Sequence, residues 1–369
     1  MCRAMSGQSG VLARVRREVT DVCHRGLGMP QLKERVLRAL APAVPVDAAF
    51  FGTIDPDTLL ITSAISDPAI VAGFELFFRN ELFEDDRNKF VELARARPPV
   101  AGLFGATGGR LEDSPRYREI IAPLHLGDEL RVVLVSGGSC WGCMCLHREA
   151  ASPPFTSGDA TFLASLAPVL AEGVRGGLLA RRLGGGVESD GRGPGLIVLG
   201  PGLELAAATE PARAWLEQLA ADEWPPDREL PAVVQAVAAR LRSGADPAVA
   251  PPWARVRARS GVWLRVRATY LSGPLVPDGF AVTIEEAPAP EVLPLLARTH
   301  ELTAREAELV RYVARGLSTS ALAAQLHISE HTVQDHLKSV FDKVGVRSRR
   351  ELVAQLQQSS VQAGGLGSD

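Results

Sequence analysis

The C-terminal stretch constrains the chain most tightly, because its helices can be laid out from their caps alone. From Glu301 it reads ELTAREAELVRYVARGLSTSALAAQLHISEHTVQDHLKSVFDKVGVRSRRELVAQLQ. Thr303, with Glu306 three residues later, is a capping box, in which hydroxyl and carboxylate exchange hydrogen bonds with each other's backbone N–H groups. Gly316 supplies the left-handed position on which a helix stops. Ser318 and Ser329 open two further helices, each with a hydrophobic staple, Leu317 on Leu322 and Ile328 on Val333. Gly345 stops the third helix, and Ser348 with Glu351 opens a fourth. Leu309, Val313, Leu322, Leu326, Val333, Leu337, Val340, Phe341, Leu352, Val353 and Leu356 fall where they can share one core. Only a short turn around His327 and Ile328 separates the second helix from the third. Two short helices joined so tightly predict a helix-turn-helix, whose second helix can enter a DNA major groove.

The third helix then turns outward a face carrying Glu330, His331, Gln334, Asp335, Lys338, Ser339 and Asp342. The free N–H groups at its start suit a DNA phosphate. Gln334 has the chemistry to pair with adenine, Lys338 with guanine O6 and N7, and Asp335 to accept from cytosine N4. Lys338, Lys343, Arg347, Arg349 and Arg350 form a basic border for the backbone. Between Ser329 and Arg350 five basic residues face three acidic ones, a balance of +2. That mild positivity predicts modest affinity per module and a dimer on paired half-sites. The formal net charge of the whole chain is -3, which excludes a uniformly basic nucleic-acid coat but leaves a local basic face open. On the residues alone, a solvated helical bundle that docks to another protein remains the competing explanation.

The tail resembles the DNA-binding domain of LuxR-type bacterial transcription regulators. LTAREAELVRYVARGLS (302–318), ALAAQLHIS (321–329), HTVQDHLKSVFDKVGV (331–346) and SRRELVA (348–354) carry the resemblance. It implies a four-helix domain with the recognition helix in the Ser329–Lys343 region, acting as a dimer on double-stranded DNA. Where the family places a contacting lysine after the Thr-Val pair, this chain has Gln334; Lys338 matches the second common contact position. Base contacts are therefore expected from Gln334, Asp335 and Lys338. Backbone contacts are expected from Ser329, His331, Thr332, Lys343, Arg347, Arg349 and Arg350. Arg305 and Glu306 match a family pair to which we assign a structural part.

Upstream, RRLGGGVESDGRGPG (181–195), with six glycines and a proline, reads as an interdomain linker. A second break falls near EEAPAPEV (285–292). The first segment opens with helical periodicity at Val11, Val15, Val19 and Val22, followed by a helix over about 30–40. AAFFGTIDP and TLLITSAI read as strands around the Asp55–Asp57 turn, and ELRVVLVSGG and SCWGCMCLHR as a second pair around Gly137 and Gly138. A long closing helix follows TSGD, with Ser157 or Asp159 as its cap. The second segment reads strand, strand, helix, helix and three strands, within about a hundred residues. No internal repeat is visible in the sequence.

The expected fold class is thus multidomain: two α+β sensor-like domains followed by an all-α four-helix helix-turn-helix domain. The whole chain resembles a group of actinobacterial regulators with an N-terminal GAF-like domain, a central degenerate PAS-like domain and this tail. The implied boundaries are 9–183 for the GAF-like domain, 184–195 for the linker, 196–288 for the PAS-like domain and 295–360 for the DNA-binding domain. The PAS resemblance rests on LIVLGPGLELAAATEPARAWL and the closing strands; Thr209 stands where such domains often carry asparagine. The resemblance implies a small-molecule effector or a partner sensed upstream.

Cys140, Cys143 and Cys145 form C-x2-C-x-C within a strand-like run. Thiolates at that spacing could hold a metal or act as a redox pair, with His147 available on the Cys143 side. Alternation places Cys143 and Cys145 on one face and Cys140 on the other, a poor tetrahedral set, so the expectation is structural packing, no metal and no cofactor. Arg255, Arg257, Arg259, Arg265 and Arg267 alternate along strands, and a solvated face is expected over one that receives an acidic ligand or partner. The chain shows no G-x-x-x-x-G-K-[ST] loop, no H-E-x-x-H and no G-x-S-x-G elbow, so no enzyme is expected. It shows no signal-peptide h-region or long apolar span, and five cysteines make no disulfide scaffold; a cytoplasmic protein without a membrane partner is expected.

Overall fold

The computed structural model describes residues 2–71, 73–180, 193–220, 230–272 and 278–358. Most of the expected 184–195 linker lies outside the described residues. The first unit opens with helices α1 (Cys2–Cys23) and α2 (Met29–Leu40). Strands β1 (Ala48–Ile54) and β2 (Ile61–Ser66) follow as an antiparallel pair around the Asp55–Asp57 turn. Next come short helices α3 (Pro68–Val71), α4 (Phe74–Phe83) and α5 (Phe90–Leu93), an edge strand β3 (Val100–Gly102) and α6 (Leu103–Ala106). Strands β4 (Leu126–Ser136) and β5 (Ser139–Glu149) make the central hairpin, and α7 (Ser157–Ala180) closes the unit. Ser136 pairs with Ser139 across Gly137 (φ 56°) and Gly138 (φ 75°). A two-residue hairpin turn with both residues at positive φ matches strand twist and favours glycine, which explains the pair.

The five strands run antiparallel in the order β2-β1-β5-β4-β3. One face is covered by α1, α2 and α7, where Val15, Val19, Leu32, Val36, Leu163 and Leu170 meet Val132, Leu134, Met144 and Leu146. A Cβ on Gly173 would lie 2.9 Å from Cys23 Cβ, so glycine there lets α1 rest directly on α7. Neither expected residue caps α7. Thr156 accepts from the Asp159 amide at 3.1 Å while the Asp159 carboxylate accepts from the Thr156 amide at 2.8 Å. The box begins one residue earlier because Asp159 is its carboxylate arm.

The second unit comprises β6 (Gly195–Leu199), β7 (Leu205–Ala208), α8 (Glu210–Ala220), α9 (Ala232–Arg242), β8 (Trp253–Arg257), β9 (Trp263–Leu271) and β10 (Gly279–Glu286). Its antiparallel order is β7-β6-β10-β9-β8, the order of the first sheet in the same sense of chain travel. Two α+β units thus share one sheet plan without a repeat in sequence. Helix α9 is buried almost all round, from Ala232 through Ala239, because it packs on its own sheet and also against β2 and α4 of the first unit. A helix apolar on every side needs such a double cover.

The arginine-lined sheet face departs from expectation. Arg259 and Arg267 are exposed, but Arg255 and Arg257 are buried. Arg255 donates from Nε to Asp55 Oδ2 at 3.0 Å and from Nη2 to Asp55 Oδ1 at 2.8 Å. Arg257 donates to the Leu178 carbonyl of α7, and Arg265 holds Glu285 at 2.6 Å and Glu291 at 2.5 Å. Asp55 and the Leu178 carbonyl belong to the chain's own first unit, whereas Glu285 lies on β10 and Glu291 just beyond it, and desolvation of these cations is balanced by fixed carboxylates and carbonyls. After β10, helix α10 (Ala289–Thr299) leads into four C-terminal helices, α11 (Ala304–Ala314), α12 (Thr319–Leu326), α13 (Glu330–Val344) and α14 (Arg349–Gln358). No helix among the described residues is long and apolar enough to cross a membrane.

Candidate nucleic-acid interface

The C-terminal helices begin where the caps predict. Thr303 accepts from the Glu306 amide at 3.3 Å, and Glu306 Oε2 accepts from the Thr303 amide at 2.7 Å. Ser318 and Ser329 accept from the amides of Ala321 (3.2 Å) and Thr332 (3.1 Å). Ser348 accepts from the Glu351 amide at 3.1 Å, but the Glu351 carboxylate reaches the Arg347 amide (2.8 Å). Three successive helices stop by one device. Gly316, His327 and Gly345 take positive φ, and the next amide bonds five residues back, Leu317 to Tyr312, Ile328 to Ala323 and Val346 to Phe341. These bonds satisfy carbonyls that the helix leaves open. The left-handed residue in the turn between α12 and α13 is His327, a conformation that β-carbon crowding disfavours outside glycine.

Leu309, Val313, Leu322, Leu326, Val333, Leu337, Val340 and Leu352 form the buried centre. Arg305 pairs with Glu308 and donates to the Leu326 carbonyl, tying α11 to the end of α12. Glu306 is buried and accepts from Ser339 at 2.6 Å and Lys343 at 2.7 Å. Burial alone would raise this carboxyl; the hydrogen bonds from Lys343, Ser339 and Thr303 outweigh it and hold the pKa at about 2. The Arg305–Glu306 pair thus works within the domain.

Across the opposite side of α13, Gln334, Asp335 and Lys338 are exposed, with Val333 and Leu337 buried behind them. None of the three makes a side-chain hydrogen bond or ion pair among the described residues. Ser329 and His331 stand exposed at the start of the helix, with the Thr332 hydroxyl 2.8 Å from Ser329 Oγ. Arg347 and Arg350 are exposed. Lys343 and Arg349 are engaged inside the domain, Lys343 on Glu306 and Arg349 on the Leu317 carbonyl. The structure therefore gathers Ser329, His331, Gln334, Asp335, Lys338, Arg347 and Arg350 as exposed groups on or beside one helix, whose capped N-terminus suits a phosphate.

The domain is anchored from behind. The Lys343 carbonyl lies 3.2 Å from His300 Nδ1, and Arg175 of α7 donates to the Thr299 carbonyl and lies 3.0 Å from Glu301 Oε1. Neither Arg175 nor His300 stands out in the sequence, because a lone arginine in a long helix carries no local signal of a partner 124 residues away.

The cysteines occupy a different arrangement from the expected one. The β4–β5 register shifts between Leu134 and Val135, making Trp141 an extra residue in its strand. Cys140 thereby joins Cys143 and Cys145 on the sheet face under α4, while Trp141 and Met144 face α7. All are buried thiols; burial pushes Cys140 up to about 12 and Cys143 and Cys145 well above the ordinary range. Such groups lack the thiolate character of a reactive cysteine.

Residues 300–356 match the family of bacterial regulatory proteins of luxR type. The chain is 48% identical over 61 residues to a nitrate/nitrite response regulator protein homolog of Haemophilus influenzae, covering 15% of this chain and 29% of that one. It is 46% identical over 54 residues to the monoamine regulon transcriptional regulator of Klebsiella aerogenes, covering 15% and 24%. It spans under a third of either relative. A GAF domain of a phosphoenolpyruvate-protein phosphotransferase from Coxiella burnetii aligns over 44% of this chain and 92% of its own, at 15% identity and a TM-score of 0.30, too slight a likeness to assign the first unit. The C-terminal domain is a LuxR-type helix-turn-helix, a DNA-binding and non-catalytic module.

Proposed function

We propose that the chain is a sequence-specific transcription regulator that binds double-stranded DNA through α13 as a homodimer. The observation that carries this is the exposed, unpartnered trio Gln334, Asp335 and Lys338 on a helix fixed from behind by Val333, Leu337 and Val340. Lys338 reads guanine, Gln334 adenine, and Asp335 selects against bases that lack a donor. Ser329, His331, Thr332, Arg347 and Arg350 position the backbone. Lys343 and Arg349 act mainly by holding the recognition helix and the α11–α12 turn, with their remaining charge adding to the basic border.

In this reading the two upstream units are sensory, the first GAF-like and the second PAS-like, and they respond to a small molecule or a partner. Their shared sheet order supports a common sensor plan. Genome-wide footprinting of a tagged full-length chain tests the proposal. Discrete sites with two related half-sites are expected. A chain with no footprint that instead holds a stable protein partner through α13 would be an adaptor, and the reading would fall.

A further inference from the structure

The face of the first sheet under α4 carries a second set of polar groups that the DNA-binding reading leaves unused. Glu129 lies directly opposite His147 in the β4–β5 register, and Cys145 precedes His147 by two residues on the same face. One ligand-type atom from each, a carboxylate oxygen, a thiol sulfur and a ring nitrogen, lies within 4.8 Å of the other two. All three residues are buried. His147 is 6% exposed, and its Nδ1 has no hydrogen-bond partner, an unusual state for a buried ring nitrogen. The three residues also line one side of a small pocket of about 40 Å³, which Phe50, Ile70 and Phe77 line as well.

From this geometry we propose that Glu129, Cys145 and His147 bind one divalent first-row metal ion, with its fourth position facing that pocket. Sulfur, imidazole and carboxylate suit a borderline cation such as zinc, and three protein ligands leave an open position. Bond lengths of roughly 2.0–2.3 Å place tetrahedral donors about 3.3–3.8 Å apart, so the side chains close by on the order of an ångström. Register supplies the set: a cross-strand pair and the next same-face residue are neighbours in any antiparallel sheet.

The surrounding charges fit a cation. Arg116 and Arg131 both approach Glu129 through Oε2, at 2.7 and 3.1 Å, which orients the carboxylate and leaves Oε1 to ligate. Arg131 also holds Glu81 at 2.7 Å, and Arg116 lies 3.7 Å from Asp86. Three carboxylates against two guanidinium groups give -1. Metal binding releases the Cys145 proton to solvent and leaves a thiolate, bringing the set to -2, which the divalent ion neutralises. Cys143, on the same face, is not within the group, so the site is not the C-x2-C-x-C motif as a unit.

The test uses the full-length chain, dialysed against Zn(II) and, separately, Co(II). About one equivalent of either metal per chain is expected, with a thiolate-to-cobalt charge-transfer band in the near ultraviolet. Cys145→Ala abolishes the band while Cys143→Ala keeps it, and His147→Gln weakens binding at least roughly tenfold. X-ray absorption on the unmutated cobalt form finds one sulfur ligand, a reading that does not depend on any variant folding. Binding below roughly 0.1 equivalent after loading, a cobalt shell without sulfur, or a band that survives in folded Cys145→Ala would overturn the proposal.

Discussion

Asp55 and Arg255, 200 residues apart, close a buried two-point ion pair, and the Arg255 amide adds a third bond to Asp55 Oδ2 at 2.7 Å. Both side chains are almost wholly inaccessible. Removing one partner strands the other charge away from water, so Arg255→Ala or Asp55→Ala should each cost about 3–5 kcal/mol. The double variant should cost less than the sum, and hydrogen exchange at the Arg255 amide should rise in either single variant. A coupling below about 0.5 kcal/mol in the double-mutant cycle would show that the pair does not join the units.

The same turn reaches toward the DNA-binding domain. Asp57 contacts Arg255 and lies 2.6 Å from Arg298 of α10, the helix that runs directly into the C-terminal domain. Burial works against the charged carboxylate, but Arg298 and Arg255 outweigh it and hold its pKa below the ordinary value. Asp57→Asn should therefore loosen α10 with little effect on the first sheet. Faster amide exchange confined to α10 and its joint with α11 is the expected result; unchanged exchange there would remove this turn as a route between the first unit and the C-terminal domain.

Much of this architecture is legible in sequence, and the failures have physical causes. Hairpin turns, helix caps and the outward face of a helix are local, so Gly137–Gly138, Thr303–Glu306 and the exposure of Gln334, Asp335 and Lys338 can be read from spacing. Contacts between units are not local. Arg255 and Arg257 alternate as solvated residues would, and only the fold brings Asp55 and the Leu178 carbonyl against them. The one available signal is α9, whose run from Ala232 to Ala239 has no polar side except Gln235, and which therefore has to be covered twice. Strict alternation misplaces Cys140 because a bulge at Trp141 breaks it. Glu129 does not announce itself as a partner of His147, since pairing register between strands is set by the hairpin as a whole.

Base and backbone contacts should separate in DNA-binding measurements. Lys338→Ala should lose about 1–3 kcal/mol for the preferred site and relax discrimination at one base pair. Arg350→Ala should weaken all sequences alike and reduce the slope of log K against log salt by about 0.9 for each phosphate that is no longer neutralised. Mobility shifts across a salt series on specific and scrambled duplexes check both. Uniform weakening by Lys338→Ala would assign that residue to the backbone instead.

Glu306 gives the C-terminal domain a defined acid response. Its folded pKa of about 2 lies below the unfolded value near 4.5, so its contribution is fully present above about 4.5 and is lost as pH falls toward 2. Lys343 is one-third exposed, and solvent screens its share, so the contribution is on the order of 1–2 kcal/mol. Glu306→Gln should lower stability at neutral pH and flatten the pH dependence in this window. Denaturant titrations of both forms between pH 2 and about 6, followed by amide exchange in α11 and α13, provide the measurement. Parallel curves for the two forms would mean that the carboxylate does not anchor α13.

The cysteines of β5 should resist alkylation in the folded, metal-free chain. Cys140, Cys143 and Cys145 are buried, and burial raises each thiol far above neutral pH, leaving little thiolate to attack an alkylating reagent. Cys23, packed on Gly173 of α7, is pushed up to about 12 for the same reason. Iodoacetamide under native conditions should leave all four unmodified, and denaturant should release them together with the unfolding of the first unit. Peptide mapping by mass spectrometry follows each position separately. Mild oxidant should likewise leave DNA binding unchanged. Rapid native labelling at Cys143 or Cys145 would show that the sheet face under α4 opens to solvent, and the packing described for it would have to be abandoned.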